Sequence, residues 1–287
     1  MAEDIFHASA DGRLTLYARD YGGQGMPVLC MHGLTRNSAD FAELAEHLSP
    51  RYRVIVPDVR GRGRSAWDDQ PTNYLPPVYV QDMFSLLAHL GVARAAMIGT
   101  SMGGIMAMIM AALAPQTVIG MALNDVGPEL DPAGLKRIAS YTGKGKPVTS
   151  WAEAAEAARA INATAFPHYG DHDWMAFARR LFVEKDGVPV LNYDPAIAQA
   201  FTPPKDAPPP PPFDMWPMWD KFSDIPVLSI RGETSDLLST DTVAQMQARH
   251  PGITAVTVPG IGHAPMLDEP VAIAAIDTFL AHLETLS

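Results

Sequence analysis

Short, β-branched apolar runs alternate along this chain with segments of helical period, and that rhythm is broken only once. "PVLCMHG", "YRVIVPD", "RAAMIGT" and "TVIGMALND" read as strands, separated by "NSADFAELAEHLSP", "PVYVQDMFSLLAHLGV" and "MGGIMAMIMAALAP" as helices. Strands alternating with helices of this length demand parallel β-α-β units with right-handed crossovers. Runs as continuously apolar as "PVLCM" need cover on both faces of a sheet. The earlier "RLTLYARDYG" alternates as a half-buried strand. In the first helix Phe41, Leu44, Ala45 and Leu48 share one face, with Asn37 or Ser38 as N-cap and Pro50 as the stop.

The rhythm breaks after Asp125. From Gly127 to about Lys221 no strong strand is expected, and four helical segments are: "DPAGLKRIASY", "SWAEAAEAARAINATAF", "DHDWMAFARRLFVEK" and a shorter "DPAIAQAF". Ser150 and Glu153 stand at capping-box spacing at the start of the second. The stretch closes on "TPPKDAPPPPPFDMWPMW", whose proline run predicts an extended polyproline II spacer. The alternation then resumes with "IPVLSIRG", "STDTVAQMQARH", "ITAVTVPG" and "PVAIAAIDTFLAHLETL". One α/β domain carrying a helical insert is the expected organisation.

Composition narrows the function classes. The net charge is -11, from 21 Lys and Arg against 32 Asp and Glu. No basic run follows a phosphate backbone, so nucleic acid and anionic membrane surfaces are excluded as expected partners. The apolar stretch "GGIMAMIMAALAP" is too short to span a bilayer. The opening residues carry no basic segment followed by an apolar one, which predicts a cytoplasmic protein. The single cysteine, Cys30, has no internal disulfide partner and reads as a buried strand residue. Oligomeric state is left open by the sequence.

The chemistry begins at "GTSMG", Gly99 to Gly103, where a strand gives way to a helix. A turn this tight forces its middle residue into a strained backbone conformation, and the residues two before and two after it must be small. Ser101 is then lifted above the sheet, and the amide of Met102, an unpaired donor of the first helical turn, points to the same spot. A hydroxyl is a poor nucleophile at neutral pH and needs a base. His263, in the Gly- and Pro-marked loop "VPGIGHAPMLDEP" between the last strand and last helix, is the candidate. Open sheets place their sites at the carboxyl ends of their strands. His7, His47, His89, His250 and His282 fall near the N-terminus or in or beside helices, and read as solvated or capping residues.

The base must be held in one tautomer by a carboxylate. Asp236, in "IRGETSDLLS", is favoured, and Asp125, after "TVIGMALN", is its rival. "MHGLTRN" offers the Leu34 amide as a second oxyanion donor beside Met102, with His32 bracing the turn. In "DVRGRGRS", Asp58, Arg60 and Ser65 read as structural. "HYGDHD" suggests a metal through His168, His172 and Asp173, but Gly170 interrupts helical ligand spacing, so no metal is expected.

Taken together, "MHGL", "DVRGRGRS", "GTSMGG", "RGETSD" and "GIGHAP" make the chain resemble the α/β-hydrolase superfamily, in its capped serine esterase and lactonase-like branch, over nearly its whole length. The resemblance implies an α/β-hydrolase fold with a mostly parallel eight-stranded sheet flanked by helices and a helical cap inserted after the sixth strand. Residues 1–127 and 222–287 would form the core, and 128–221 the cap, ending in the proline-rich linker. It implies Ser101 as nucleophile, Asp236 as acid, His263 as base, and Leu34 with Met102 as oxyanion donors, with no cofactor. Relatives with an aspartate nucleophile, the epoxide hydrolases and haloalkane dehalogenases, are set aside because residue 101 is serine.

The expected activity is cleavage of small to medium apolar carboxylic esters through an acyl-enzyme. Trp174, Phe177, Trp216 and Trp219 are the expected substrate-binding residues of the insert. The pair Arg179 and Arg180 reads as a solvated helix face rather than a carboxylate site. Lactone hydrolysis, carbon–carbon bond hydrolysis of aromatic breakdown products, and a non-enzymatic ligand receptor on the same scaffold are the alternatives.

Overall fold

A computed structural model describes residues 2–201 and 213–286. The proline-rich spacer expected over 202–212 lies outside the described residues. The first half of the chain runs β1 (Glu3–Ala8), β2 (Thr15–Asp20), β3 (Pro27–Met31), α1 (Ala42–Leu48), β4 (Arg53–Asp58), α2 (Pro76–His89), β5 (Ala95–Thr100), α3 (Met102–Leu113) and β6 (Val118–Asn124). After the insert come β9 (Val227–Gly232), α8 (Thr240–Arg249), β10 (Ile253–Val258) and α9 (Pro270–Glu284). These strands form one eight-stranded sheet in the order β1-β2-β4-β3-β5-β6-β9-β10. Only β2 runs against its neighbours; from β4 across to β10 every pair is parallel. The α/β-hydrolase fold expected from the sequence is the fold observed.

The central strands are buried on both faces, which is why they read as uninterrupted apolar runs. Helix α3 is apolar around its whole circumference and is correspondingly enclosed, with Met106, Ala107, Met108 and Met110 fully buried. Each such methionine contributes about 1.5–3 kcal/mol of transfer free energy. Cys30 is buried among these strands, and that burial pushes its thiol pKa up.

Two glycines allow α3 to start where it does. A β-carbon on Gly103 would stand 2.0 Å from the Met31 carbonyl oxygen, and one on Gly99 would stand 2.4 Å from the Gly103 carbonyl. Helix α3 therefore approaches β3 and β5 more closely than any side chain permits, which fixes the corner between them.

The insert between β6 and β9 is not wholly helical, contrary to expectation. It contains α4 (Pro132–Tyr141), α5 (Trp151–Asn162), α6 (Asp171–Leu181), a hairpin of β7 (Phe182–Lys185) and β8 (Val188–Leu191), and a short α7 (Trp216–Trp219). The segment read as one helix, "DHDWMAFARRLFVEK", stops at Leu181 and turns into the hairpin. Asp186 and Gly187, at φ 52 and 80, supply the two left-handed residues of a tight hairpin turn. "DPAIAQAF" forms a 3-10 helix over Pro195–Phe201. Ser150 caps α5 by accepting from the Glu153 amide, while the Glu153 carboxylate takes the Thr149 amide, one residue earlier than a reciprocal box requires.

Backbone and side-chain bonds lace this insert to the loop after β4. Gly63 N donates to Asn192 O, Asp194 N donates to Gly61 O, and the Tyr74 hydroxyl donates to the Asp194 carboxylate at 2.6 Å. That loop is held from below as its residues suggested. Asp58 accepts from the Ser38 and Arg64 amides, the Ser65 hydroxyl donates to Asp58 O, and Arg60 pairs with Asp82 and Asp68.

Candidate active site

Ser101 stands between β5 and α3 with φ 50 and ψ -112, a conformation that non-glycine residues rarely adopt. Its amide donates to Asn124 O, which pins the corner to the end of β6. Two strands beyond β6, the chain leaves β10 and returns across the strand ends. Asn124 Nδ2 donates to Pro265 O at 2.8 Å, and Gly262 N donates to Ala165 O at 2.7 Å. These bonds hold the returning loop so that His263 Nε2 lies 3.0 Å from Ser101 Oγ.

The carboxylate on the far side of the imidazole is Asp125, not Asp236. His263 Nδ1 lies 2.7 Å from Asp125 Oδ2, and Asp125 is fully buried. The same carboxylate accepts from Gly232 N at 2.8 Å and from the Ser235 hydroxyl at 2.6 Å. Strand order explains the correction. Asp125 follows β6, the immediate neighbour of the serine-bearing β5, whereas Asp236 lies four residues beyond β9, one strand further out. Arg137 of α4 engages Asp236 with two bonds, at 2.5 and 2.7 Å, and holds its carboxyl pKa below the ordinary aspartate value.

The amides of Leu34 and Met102 donate to no acceptor among the described residues. Leu34 lies on the wall of the same cavity as Ser101 and His263, and Met102 opens α3. Arg62, which the sequence reading passed over, braces both. It is fully buried, and no carboxylate among the described residues pairs with it. Its Nε donates to Leu34 O at 2.9 Å, Nη1 to Arg60 O and to the Tyr79 hydroxyl, and Nη2 lies 3.7 Å from Met102 Sδ. A second "RG" in "RGRG" was its only sequence signal.

His32 braces the loop from behind, as expected. Its Nε2 accepts from Val59 N, so the neutral ring donates from Nδ1 to Gly33 O at 2.8 Å. Burial lowers its pKa from 6.5 to about 4. With the folded pKa depressed, the unfolded chain binds the extra proton between about pH 6.5 and 4, so stability falls as pH drops through that window. The contribution is about 3 kcal/mol at most. In urea titrations the wild-type protein should lose more stability between these pH values than the His32→Gln variant; parallel profiles would contradict the assignment.

The cavity beside Ser101 and His263 is bounded by sheet-end loops and by the insert, with Arg36, Tyr141, Asn162, Phe166, Phe177 and Tyr193 in its wall. Of the four aromatic residues expected there, Phe177 alone lines it. Trp174 is buried behind the wall against Phe166, Tyr169 and Phe177. Trp219 is buried against Phe222 and His250, and Trp216 donates to Glu129 beneath the Arg249 guanidinium. Trp174 thus packs the insert internally, while Trp216 and Trp219 tie its end to the core beside α8, and none of the three lines the cavity. Arg179 stacks on Trp151 at 3.6 Å, and Arg180 pairs with Glu43, which leaves both outside the cavity wall. His172 is exposed, Asp173 caps α6 through the Gly170 amide, and no cluster of three metal-binding groups occurs among the described residues. No helix among them is long and apolar enough to cross a membrane.

The sequence model described as "Alpha/beta hydrolase family" matches residues 28–276. A 3-hydroxybutyrate-oligomer hydrolase of Cupriavidus necator is 38% identical over 258 residues, covering 88% of this chain and 87% of that protein. A 2-(acetamidomethylene)succinate hydrolase of Mesorhizobium japonicum is 29% identical, over 94% of this chain and 92% of its own. The crystal structure of an alpha/beta hydrolase from Novosphingobium aromaticivorans superposes with a TM-score of 0.90 at 44% identity, covering 98% of each chain.

Proposed function

Since this chain belongs to the alpha/beta hydrolase family, we propose that it is a serine hydrolase cleaving small to medium carboxylic esters through an acyl-enzyme. The observation that carries this reading is the run of hydrogen bonds from Ser101 through His263 to buried Asp125, at 3.0 and 2.7 Å. His263 Nε2 takes the hydroxyl proton as Ser101 Oγ attacks the ester carbonyl, and Asp125 keeps the proton on Nδ1 and stabilises the imidazolium. The amides of Leu34 and Met102 receive the oxyanion; losing one such donor costs about a hundredfold or more in kcat. His263 then protonates the leaving alcohol, and water attacks the acyl-enzyme by the same route in reverse. Residues 128–221 act in this reading as the lid of the site.

The name of the Cupriavidus relative supports an oligoester of a short hydroxy acid as the first natural substrate to test. Hydrolysis of p-nitrophenyl butyrate and of the linear 3-hydroxybutyrate dimer, measured beside lactones and a vinylogous 1,5-diketone, tests the proposal. Sustained multiple turnover of the two esters is expected. A single burst ending in a stable adduct, or turnover of the diketone alone, would contradict it.

A further inference from the structure

One wall of the cavity carries a cation whose ion pair leaves part of it unused. Arg36 lies in the loop after β3, and its amide donates to Gly33 O at 3.2 Å. This turn puts the Arg36 stem and Ser101 on either side of Gly33, with Arg36 Cγ and Ser101 Cβ both within 4 Å of where a Gly33 β-carbon would stand, and both residues line the one cavity. The guanidinium gives Nε and Nη2 to Asp40 at 2.7 and 2.6 Å. Its central carbon lies over the Phe177 ring, 4.1 Å from the centroid. Nη1 donates to no group among the described residues.

An i,i+4 ion pair on a surface turn would face water and do little. Here both side chains are only 14% exposed, and both line the cavity that holds Ser101 and His263. Arg36 is the one lysine or arginine among the described residues of that wall. A guanidinium has five donors in a rigid fork, so Asp40 on one edge and Phe177 on one face orient the remaining edge instead of consuming it. On a protein of net charge -11 an anionic substrate is repelled in general and needs such a local cation to be held.

We propose that Arg36 binds a free carboxylate of the substrate through its unused edge, so that the preferred substrates are esters bearing a carboxylate, such as a hydroxy-acid oligoester with one unesterified end. This inference rests on the ester-hydrolase reading above. Arg36 sets specificity by receiving the charged end while the scissile carbonyl lies at Ser101.

The test compares the 3-hydroxybutyrate dimer as its free acid with the same dimer capped as a methyl ester, using wild type, Arg36→Met and Arg36→Lys. Wild type should favour the free acid in kcat/KM by about tenfold to a hundredfold, the range of one charge-assisted hydrogen bond. Arg36→Met should bring that ratio to about 1, chiefly by raising KM for the acid, and Arg36→Lys should restore part of it. A wild-type ratio near 1, or a ratio unchanged in Arg36→Met, overturns the inference, and the wild-type ratio decides even where a variant fails to fold. Failure of wild type to cleave either dimer or p-nitrophenyl butyrate would strike the ester-hydrolase reading itself.

Discussion

Asp125→Asn should lower kcat about ten-thousandfold, with the fold intact, whereas Asp236→Asn should lower it less than tenfold. An asparagine at 125 keeps an oxygen for the Gly232 amide at the Oδ1 position, and the Ser235 hydroxyl, which shares Oδ2 with His263, can turn to accept from the new Nδ2. Toward His263 Nδ1 it presents an N–H where a proton acceptor is needed, so the ring is driven to the tautomer with its proton facing Ser101, and general-base catalysis is lost. At 236 the change only breaks the ion pair with Arg137, whose members are 39% and 29% exposed. A pair this solvated contributes about 1 kcal/mol or less. Steady-state kinetics on p-nitrophenyl butyrate, with thermal melts of both variants, separate the two carboxylates. A larger loss from Asp236→Asn than from Asp125→Asn would reverse the assignment.

Ser101→Ala should lower kcat about a millionfold while leaving the melting temperature within a few degrees of wild type. Nucleophile and base act as one unit, so removing either forfeits nearly the whole covalent route, and only oxyanion and binding contributions remain. The strained corner is held by Gly99, Gly103 and the Ser101 amide bond to Asn124, none of which the substitution touches. Retained stability with lost turnover would mark the hydroxyl as chemical rather than structural. A drop in turnover matched by a collapse in melting temperature would not fit.

The sheet was legible because its evidence is local. Apolar runs at β3, β4, β5 and β6 announce doubly covered strands, and the glycines flanking Ser101 announce a close backbone approach that the Met31 carbonyl makes necessary. His263 was legible from its place between the last strand and the last helix. The carboxylate that meets His263 was not, because Asp125 and Asp236 both follow a strand end and both fall between Ser101 and His263 in chain order. What separates them is which strand lies next to β5, together with the reach of Arg137 from an insert helix, and neither is written in local pattern. The insert was legible only in part. Its hairpin carried a readable signal in Asp186–Gly187 between β-branched residues. Its aromatic residues gave no indication of which would line the cavity and which would fill the space behind it, since packing against neighbours decides that.

The most direct measurement of the central claim is to quench the reaction with p-nitrophenyl butyrate during turnover and map the acylated residue by peptide mass spectrometry. A single butyryl group on Ser101 is predicted in wild type, absent from Ser101→Ala and from His263→Ala. A butyryl group accumulating on another residue, or undiminished turnover by Ser101→Ala, would contradict it.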